Sequence, residues 1–480
     1  MTLKKKLISG VMYTGVSKYA GIIISLVITA VLSRILTPDD FGIVAIATVI
    51  ITFFGVFSDF GIAPAIVQNK ELDKEDLSGL FSFTVWLGLL FSAFFFLGSG
   101  AISTYYDSPV LATICRVLSV SLFFNTVNIV PNALLYKDKA FKFLAKRTLV
   151  VQFVAGSIAI AAALNGAGIY ALLINPVLSS IIIFLVTLRR YPQRFQWSLG
   201  LRPLKKIFSF SLYQFLFNAI NYFSRNLDKL LIGRYMGMIS LGYYEKSYRL
   251  MMLPLQNITY VITPVMHPVF SDFQNDLKKL ESSYLKVVRL LAFIGFPLSV
   301  FLFFTAKELM LLIFGPQWEA SIPIFQILAL SVGVQVVLST SGSIFQSAGD
   351  TKSLFLCGVF SAVTNVGGIL VGIFLYQSLT AVAWAILITF TINFLQAFVQ
   401  MYRVTFKASM KRFFKTLISP LVLSLLLFLL FSLFTRFVQL DRLMASLLVH
   451  GGLFLIIFGL YIQGSKEYDI IKRIREVLKR

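Results

Sequence analysis

Charged and redox-active side chains are scarce in this sequence. Only 13% of the 480 residues are charged, about half of the roughly 25% typical of a soluble globular chain. Cysteine occurs twice, at Cys115 and Cys357, and histidine twice, at His267 and His450. Two distant thiols within apolar stretches provide neither a disulfide framework nor a metal-ligand spacing. The two histidines read as packing or interface residues. No loop is long enough to fold as a soluble domain.

What is abundant is apolar. Hydrophobic residues make up 58% of the chain, including 48 phenylalanines, which places it among polytopic helical membrane proteins. A window of about 20 residues finds fourteen candidate spans. Among them are span 1 at 11–33, span 2 at 41–62, span 7 at 208–232, span 8 at 239–262 and span 10 at 322–346. The basic N-terminus leads into an apolar run too long for a signal-peptide core, so it reads as an uncleaved first span.

Lysine and arginine are divided unevenly between alternate loops. Thirty-two fall on the side of the N-terminus, five on the other, and six inside spans. Positive charge collects on the cytoplasmic face, so both termini are expected in the cytoplasm. The net charge of +22 is mostly this loop bias, and no nucleic-acid partner is indicated. The tail 465–480 spaces Ile470, Ile471, Ile474, Val477 and Leu478 as one helical face among basic residues. It reads as a helix lying on the anionic inner leaflet.

The sequence repeats weakly at an offset of 200. "SRILTPDDFGIV" ends span 1 and starts span 2; "GRYMGMISLGYY" ends span 7 and starts span 8. Arg34 pairs with Arg234, Gly42 with Gly242, and Pro64 with Pro264. An even number of spans per copy makes this a parallel repeat about an axis normal to the membrane. The expected architecture is all-α: an N-lobe at 1–190 (spans 1–6), a basic cytoplasmic linker at 191–206, and a C-lobe at 207–402 (spans 7–12). Spans 13 and 14 at 403–464 and the basic tail at 465–480 complete it.

"NAINYFSRNLDKLLIGR" places charges within a presumed span, at a cost of at least ~3 kcal/mol each on insertion scales. At about 100° per residue, Asn218, Asn221, Arg225, Asp228 and Lys229 share one face of span 7, and Glu245, Tyr248 and Arg249 share one face of span 8. Lys18 lies on a polar face of span 1. Such faces turn toward water-filled cavities or toward each other. Asp228 with Lys246, and Lys229 with Glu245, sit at matching depths and can form ion pairs, but cations remain in surplus. That surplus suits an anionic substrate, since arginine grips phosphate and carboxylate through paired hydrogen bonds. Lys18, Arg225, Lys229, Arg249, Asn218, Asn221 and Tyr248 are therefore candidate substrate-binding residues, and Asp59, Asp228, Glu245 and Lys246 are candidates for a coupling ion or for ion pairing. For Asp59, an interface position is the simpler reading.

These segments, with "IFGPQWEAS" and "FQSAGDTKSLFL", resemble the polysaccharide exporters of the multidrug/oligosaccharidyl-lipid/polysaccharide superfamily, in its Wzx-type and colanic acid exporter branch. The resemblance covers essentially the whole chain. It implies a flippase carrying undecaprenyl-pyrophosphate-linked oligosaccharide across the bacterial inner membrane, with two six-helix lobes around a cationic cavity and a rocker-switch motion. It implies no enzymatic step and no cofactor beyond a coupling H+ or Na+. Implied partners are the lipid-linked glycan, membrane lipids and glycan-assembly proteins of the same pathway. A membrane polymerase or glycosyltransferase would need a larger extramembrane loop, and a drug or cation antiporter would need a cavity of opposite sign.

Overall fold

The computed structural model describes residues 3–197 (except 70) and 222–465 (except 224, 272, 275 and 439). The described residues are helical throughout, with no strand. They divide into two compact units, Met1–Gly242 and Tyr243–Arg480.

In the first unit, α1 (Leu3–Ile35) and α2 (Pro38–Asp59) form a hairpin, and α3 (Ile62–Gln68) continues the second span. Then come α4 (Lys74–Tyr105), α5 (Pro109–Val127), α6 (Ile129–Lys137), α7 (Phe141–Leu164) and α8 (Ala171–Arg190). Residues 225–235 are helical, and α9 (Met238–Ser271) begins in this unit and runs into the next. Helix starts are written locally. Thr37 caps α2 by accepting from the Asp40 amide at 3.3 Å, and Asp40 accepts in return from the Thr37 amide at 2.9 Å. Pro38 occupies the first helical position, where its missing N–H costs nothing. Asp73 and Asp76 cap α4 in the same reciprocal way.

The core of this unit relies on close backbone approach. Ile28 and Leu32 of α1, and Leu36 just beyond its end, pack with Ala159 and Ala163 of α7. A Cβ on Gly156 would lie 2.0 Å from Ile28 Cδ1, so a larger residue there requires the Ile28 side chain to move. Small residues at helix contacts are how membrane helices gain packing when lipid is as apolar as leucine.

In the second unit, α10 (Leu277–Phe304) is followed by α11 (Ala306–Phe314), α12 (Ile322–Leu330), α13 (Val332–Leu338) and α14 (Ser341–Ser347). The last four helices are α15 (Thr351–Leu370), α16 (Leu379–Gln400), α17 (Lys411–Phe437) and α18 (Leu443–Gly464). Phe293 and Val300 of α10 pack on Leu423, Leu427 and Phe431 of α17. Large apolar side chains such as Leu375 and Phe437, 73% and 79% exposed, face outward, as a bilayer solvent permits.

Among the described residues, eleven helices are long and apolar enough to cross a membrane. A twelfth appears if Pro316–Leu330 and Val332–Ser347, bent by 42°, count as one span. This bent pair occupies the expected span at 322–346. Its break at Ser331 is stabilised from α10: Ser299 Oγ accepts the Gly333 amide at 2.7 Å. Two of the fourteen expected spans have no counterpart in this set. Span 7 at 208–232 lies mostly outside the described residues. Span 8 lies within α9, which is 34 residues long but is broken up by polar residues such as Gln256, Asn257 and His267 and is not apolar enough to qualify by composition.

Span 2 contains a feature absent from the sequence reading. It breaks at Phe60 and Gly61, whose φ values are +41° and +71°. Asp59 Oδ1 accepts the Ala63 amide at 3.2 Å across the break and so satisfies one of the orphan donors at the start of α3.

Candidate functional site

In the first unit, the expected site residues lie on α1 and on the helical stretch 225–235. Lys18 is half-buried, Arg225 exposed and Lys229 half-buried, whereas Asp228 is buried. The Asp228 carboxylate accepts the Lys229 amide at 2.8 Å. Asn218 and Asn221 lie outside the described residues. Tyr222, next in the chain, donates its hydroxyl to the Val49 carbonyl on α2. Phe53 packs against both Tyr222 and Phe223. At the other end, Arg234 pairs with Asp107 at 2.5 Å and lies over the Tyr105 ring.

The two repeat-related glycines meet each other's helices. A Cβ on Gly42 would lie 1.9 Å from the Met238 carbonyl oxygen; one on Gly242 would lie 2.0 Å from the Pro38 carbonyl oxygen. Each glycine thus contacts the residue four positions before the other. The contact is reciprocal under the offset of 200 residues seen in the sequence. Backbone carbonyls cannot move aside as a side-chain end can, so the approach requires glycine on both sides.

In the second unit, α9 carries Glu245, Lys246, Tyr248 and Arg249. Lys246 is 1% exposed, and its Nζ lies 5.0 Å from the centres of both the Phe314 and Trp318 rings. Such cation–π contacts strengthen when desolvated. Tyr243 meets Trp318 edge-on. Ser247 Oγ donates to the Ser321 carbonyl at 3.0 Å, and Ser321 Oγ donates to the Tyr243 carbonyl at 3.2 Å. The segment "IFGPQWEAS" therefore clasps α9 at its charged turn. Sequence reasoning noted this segment only as part of a resemblance, because aromatic residues are too common in spans to signal a lysine partner. Glu245, Tyr248 and Arg249 are half-buried, and the Tyr248 ring lies beside Tyr244 at 5.7 Å.

Asp59 lies apart from these groups, at the break between α2 and α3. No group of three or more His, Cys, Asp or Glu side chains positioned to hold a metal occurs among the described residues.

Teichuronic acid biosynthesis protein TuaB of Bacillus subtilis is 26% identical over 411 residues, covering 82% of each chain. Lipopolysaccharide biosynthesis protein WzxC of Escherichia coli is 26% identical over 381 residues, covering 78% of this chain and 76% of that one. Among solved structures, the lipid II flippase MurJ in an inward closed conformation matches with a TM-score of 0.74 at 15% identity, over 95% of this chain and all of that one. An inward-facing multidrug resistance MATE family transporter of the MOP superfamily matches with a TM-score of 0.65 at 15% identity, over 81% and 95%. The fold is that of the MOP transporters, and the chain is a multi-pass membrane protein. A family model described as "Polysaccharide biosynthesis protein" matches residues 31–323, and the chain belongs to that family.

Proposed function

We propose that this protein is a flippase that moves polyprenyl-pyrophosphate-linked oligosaccharide from the cytoplasmic to the opposite leaflet of the bacterial inner membrane, with both of its termini in the cytoplasm. The observation that carries this reading is the charge placed on the second copy of the repeated hairpin: Arg225, Lys229 and Arg249, with Lys18 on α1. Cationic side chains at these positions suit an anionic headgroup such as pyrophosphate, which arginine grips through paired hydrogen bonds. Its relatives' names, such as succinoglycan biosynthesis transport protein ExoT of Rhizobium meliloti, at 25% identity over 74% of this chain, agree with a glycan-bearing substrate.

No bond is made or broken in this reading. The protein supplies a polar path for sugar and phosphate while the prenyl tail stays in lipid. Lys18 and Arg225 act as successive phosphate contacts, Arg249 as a third, and Tyr248 offers a face to sugar rings. An N-lobe at 1–190 and a C-lobe at 207–402 rock against each other. Opening to the far side separates Gly42 from Met238 and Gly242 from Pro38. A glycan polymerase reading has no metal-binding group to rest on among the described residues, and an organic-cation antiporter reading conflicts with the sign of the charge.

The test is leaflet transfer of a labelled prenyl-pyrophosphate oligosaccharide in liposomes, with and without a proton or sodium gradient. Transfer by the native protein, and its loss in Lys18→Glu with headgroup binding weakened, is the expected result. Equal transfer by native protein and empty liposomes overturns the reading.

A further inference from the structure

One buried polar cluster lies outside every group considered so far. It sits where α11 meets α18, against α17. Glu308 of α11 is 8% exposed, and Ser446 and His450 of α18 are 6% and 2% exposed. Ser446 Oγ donates to Glu308 Oε1 at 2.6 Å and lies 3.4 Å from His450 Nδ1. Nδ1 is also 2.9 Å from the Ser446 carbonyl oxygen. A carbonyl only accepts, so Nδ1 carries the hydrogen. The neutral ring then presents Nε2 as a bare acceptor. His450 Nε2 and Glu308 Oε2 are both buried, and neither has a hydrogen-bond partner among the described residues.

Two orphaned acceptors in one network are unusual. A buried polar group without a partner costs about 1–3 kcal/mol, more if charged. The surroundings offer no compensation: the Phe431 and Phe434 rings stand edge-on to the imidazole, each with its centre 5.3 Å away. α10 has no ionisable residue from Leu290 to Phe304. The ionisable residues nearest in sequence on the packed elements are Lys307 beside Glu308, Arg436 at the end of α17, and Asp441 and Arg442 before α18. All four are exposed. One added proton, on the carboxyl or on the ring, balances the negative charge that a buried carboxylate brings to the cluster.

We propose that Glu308, Ser446 and His450 form a proton-binding site: an added proton is held at His450 Nε2, and when the Nδ1 hydrogen passes to Ser446 Oγ and the Ser446 hydroxyl hydrogen to Glu308 Oε1, the same excess proton rests on the carboxyl and leaves a neutral Nε2–H ring. The proton comes from water at the exposed end marked by Lys307 and Arg442 and returns there or to the other side. Taken with the transport reading, on which this step rests, the site supplies the ion coupling. It assigns α18, outside the two repeated copies, a chemical role.

The chain's two histidines make a direct test possible. In a His267→Gln background, His450 is the only imidazole, and ring 15N shifts in nanodiscs report its protonation. The expected result is an Nδ1-protonated neutral ring at high pH that gains a second proton as the pH falls. Glu308→Gln is expected to move the midpoint of that change to lower pH, because the attracting carboxylate is gone. Ser446→Ala keeps both titrating groups, guards against a folding artefact, and is expected to shift the midpoint by less. A ring unchanged from pH 5 to 9, or a midpoint indifferent to both substitutions, overturns the site. In liposomes, Glu308→Gln is expected to abolish the response of leaflet transfer to a pH gradient while leaving transfer down a substrate gradient. An intact pH response overturns the coupling role. Native protein that transfers nothing under any gradient refutes the flippase reading instead, and the NMR arm still decides the proton site.

Discussion

The two hairpins that repeat at an offset of 200 residues share a frame and differ in almost everything attached to it. Gly42 and Gly242 make the same contact on each other's carbonyl partners, and Arg34 and Arg234 occupy the same place in the turn. Yet Ser25, Ile28 and Thr29 on α1 correspond to Arg225, Asp228 and Lys229, while Ala45, Ile46 and Val49 on α2 correspond to Glu245, Lys246 and Arg249. Ile28, Ile46 and Val49 are buried among apolar neighbours. Even the turns diverge: Thr37 closes a capping box where Gly237 adopts φ +86°. The duplicated backbone geometry tolerates either chemistry. Charge on the second copy is therefore not a requirement of the fold, which is why it points to function.

The largest expected effect breaks that asymmetry. Arg225→Glu places a second acid beside Asp228 and opposes an anionic headgroup, so transfer is expected to fall by more than about tenfold, some 1.4 kcal/mol. Ser25→Glu, at the corresponding position of the first copy, is expected to change transfer by less than about threefold if it folds. Equal losses in liposome transfer would mean that both copies contact substrate and that the asymmetry has no functional meaning.

A second comparison tests the shared part. Gly42→Ala and Gly242→Ala each push a Cβ into a backbone carbonyl, and overpacking of this kind costs typically about 1–3 kcal/mol. Because both contacts join the same pair of helix starts, separating one relieves the other. The double variant is then expected to lose less thermal stability than the two single losses added together. Additive losses in nanodisc unfolding would show that the two contacts are independent, against a common opening movement.

The sequence carried the frame because hydropathy and a fixed offset are linear signals. Spans, loop charge bias and the glycine pair follow from counting. The use of that glycine pair does not, since a contact of Cβ with carbonyl exists only once the helices are placed. The clasp on Lys246 joins residues 72 positions apart, and the Glu308–Ser446 bond joins residues 138 apart. Neither has a spacing that a sequence pattern could show, and His450 looked like packing because the carboxylate that completes its cluster, Glu308, lies on another helix. Asn218 and Asn221 were legible as part of a polar face, but they lie outside the described residues.

The smallest expected effect concerns Asp59, the one carboxylate in the first hairpin's spans with no acidic counterpart, since Thr259 occupies its place in the second. The backbone explains the difference. α9 runs without interruption from Met238 to Ser271, passing Val261, whereas the first copy breaks at Phe60 and Gly61 and needs an acceptor for the Ala63 amide. Asp59 supplies it. Asparagine offers the same acceptor without charge, so Asp59→Asn is expected to change stability by only a few tenths of a kcal/mol, while Asp59→Ala costs about 1 kcal/mol. Transfer should be unchanged in the asparagine variant. If gradient-driven transfer disappears in Asp59→Asn while thermal stability holds, the carboxylate handles an ion, and the break in span 2 exists to position it.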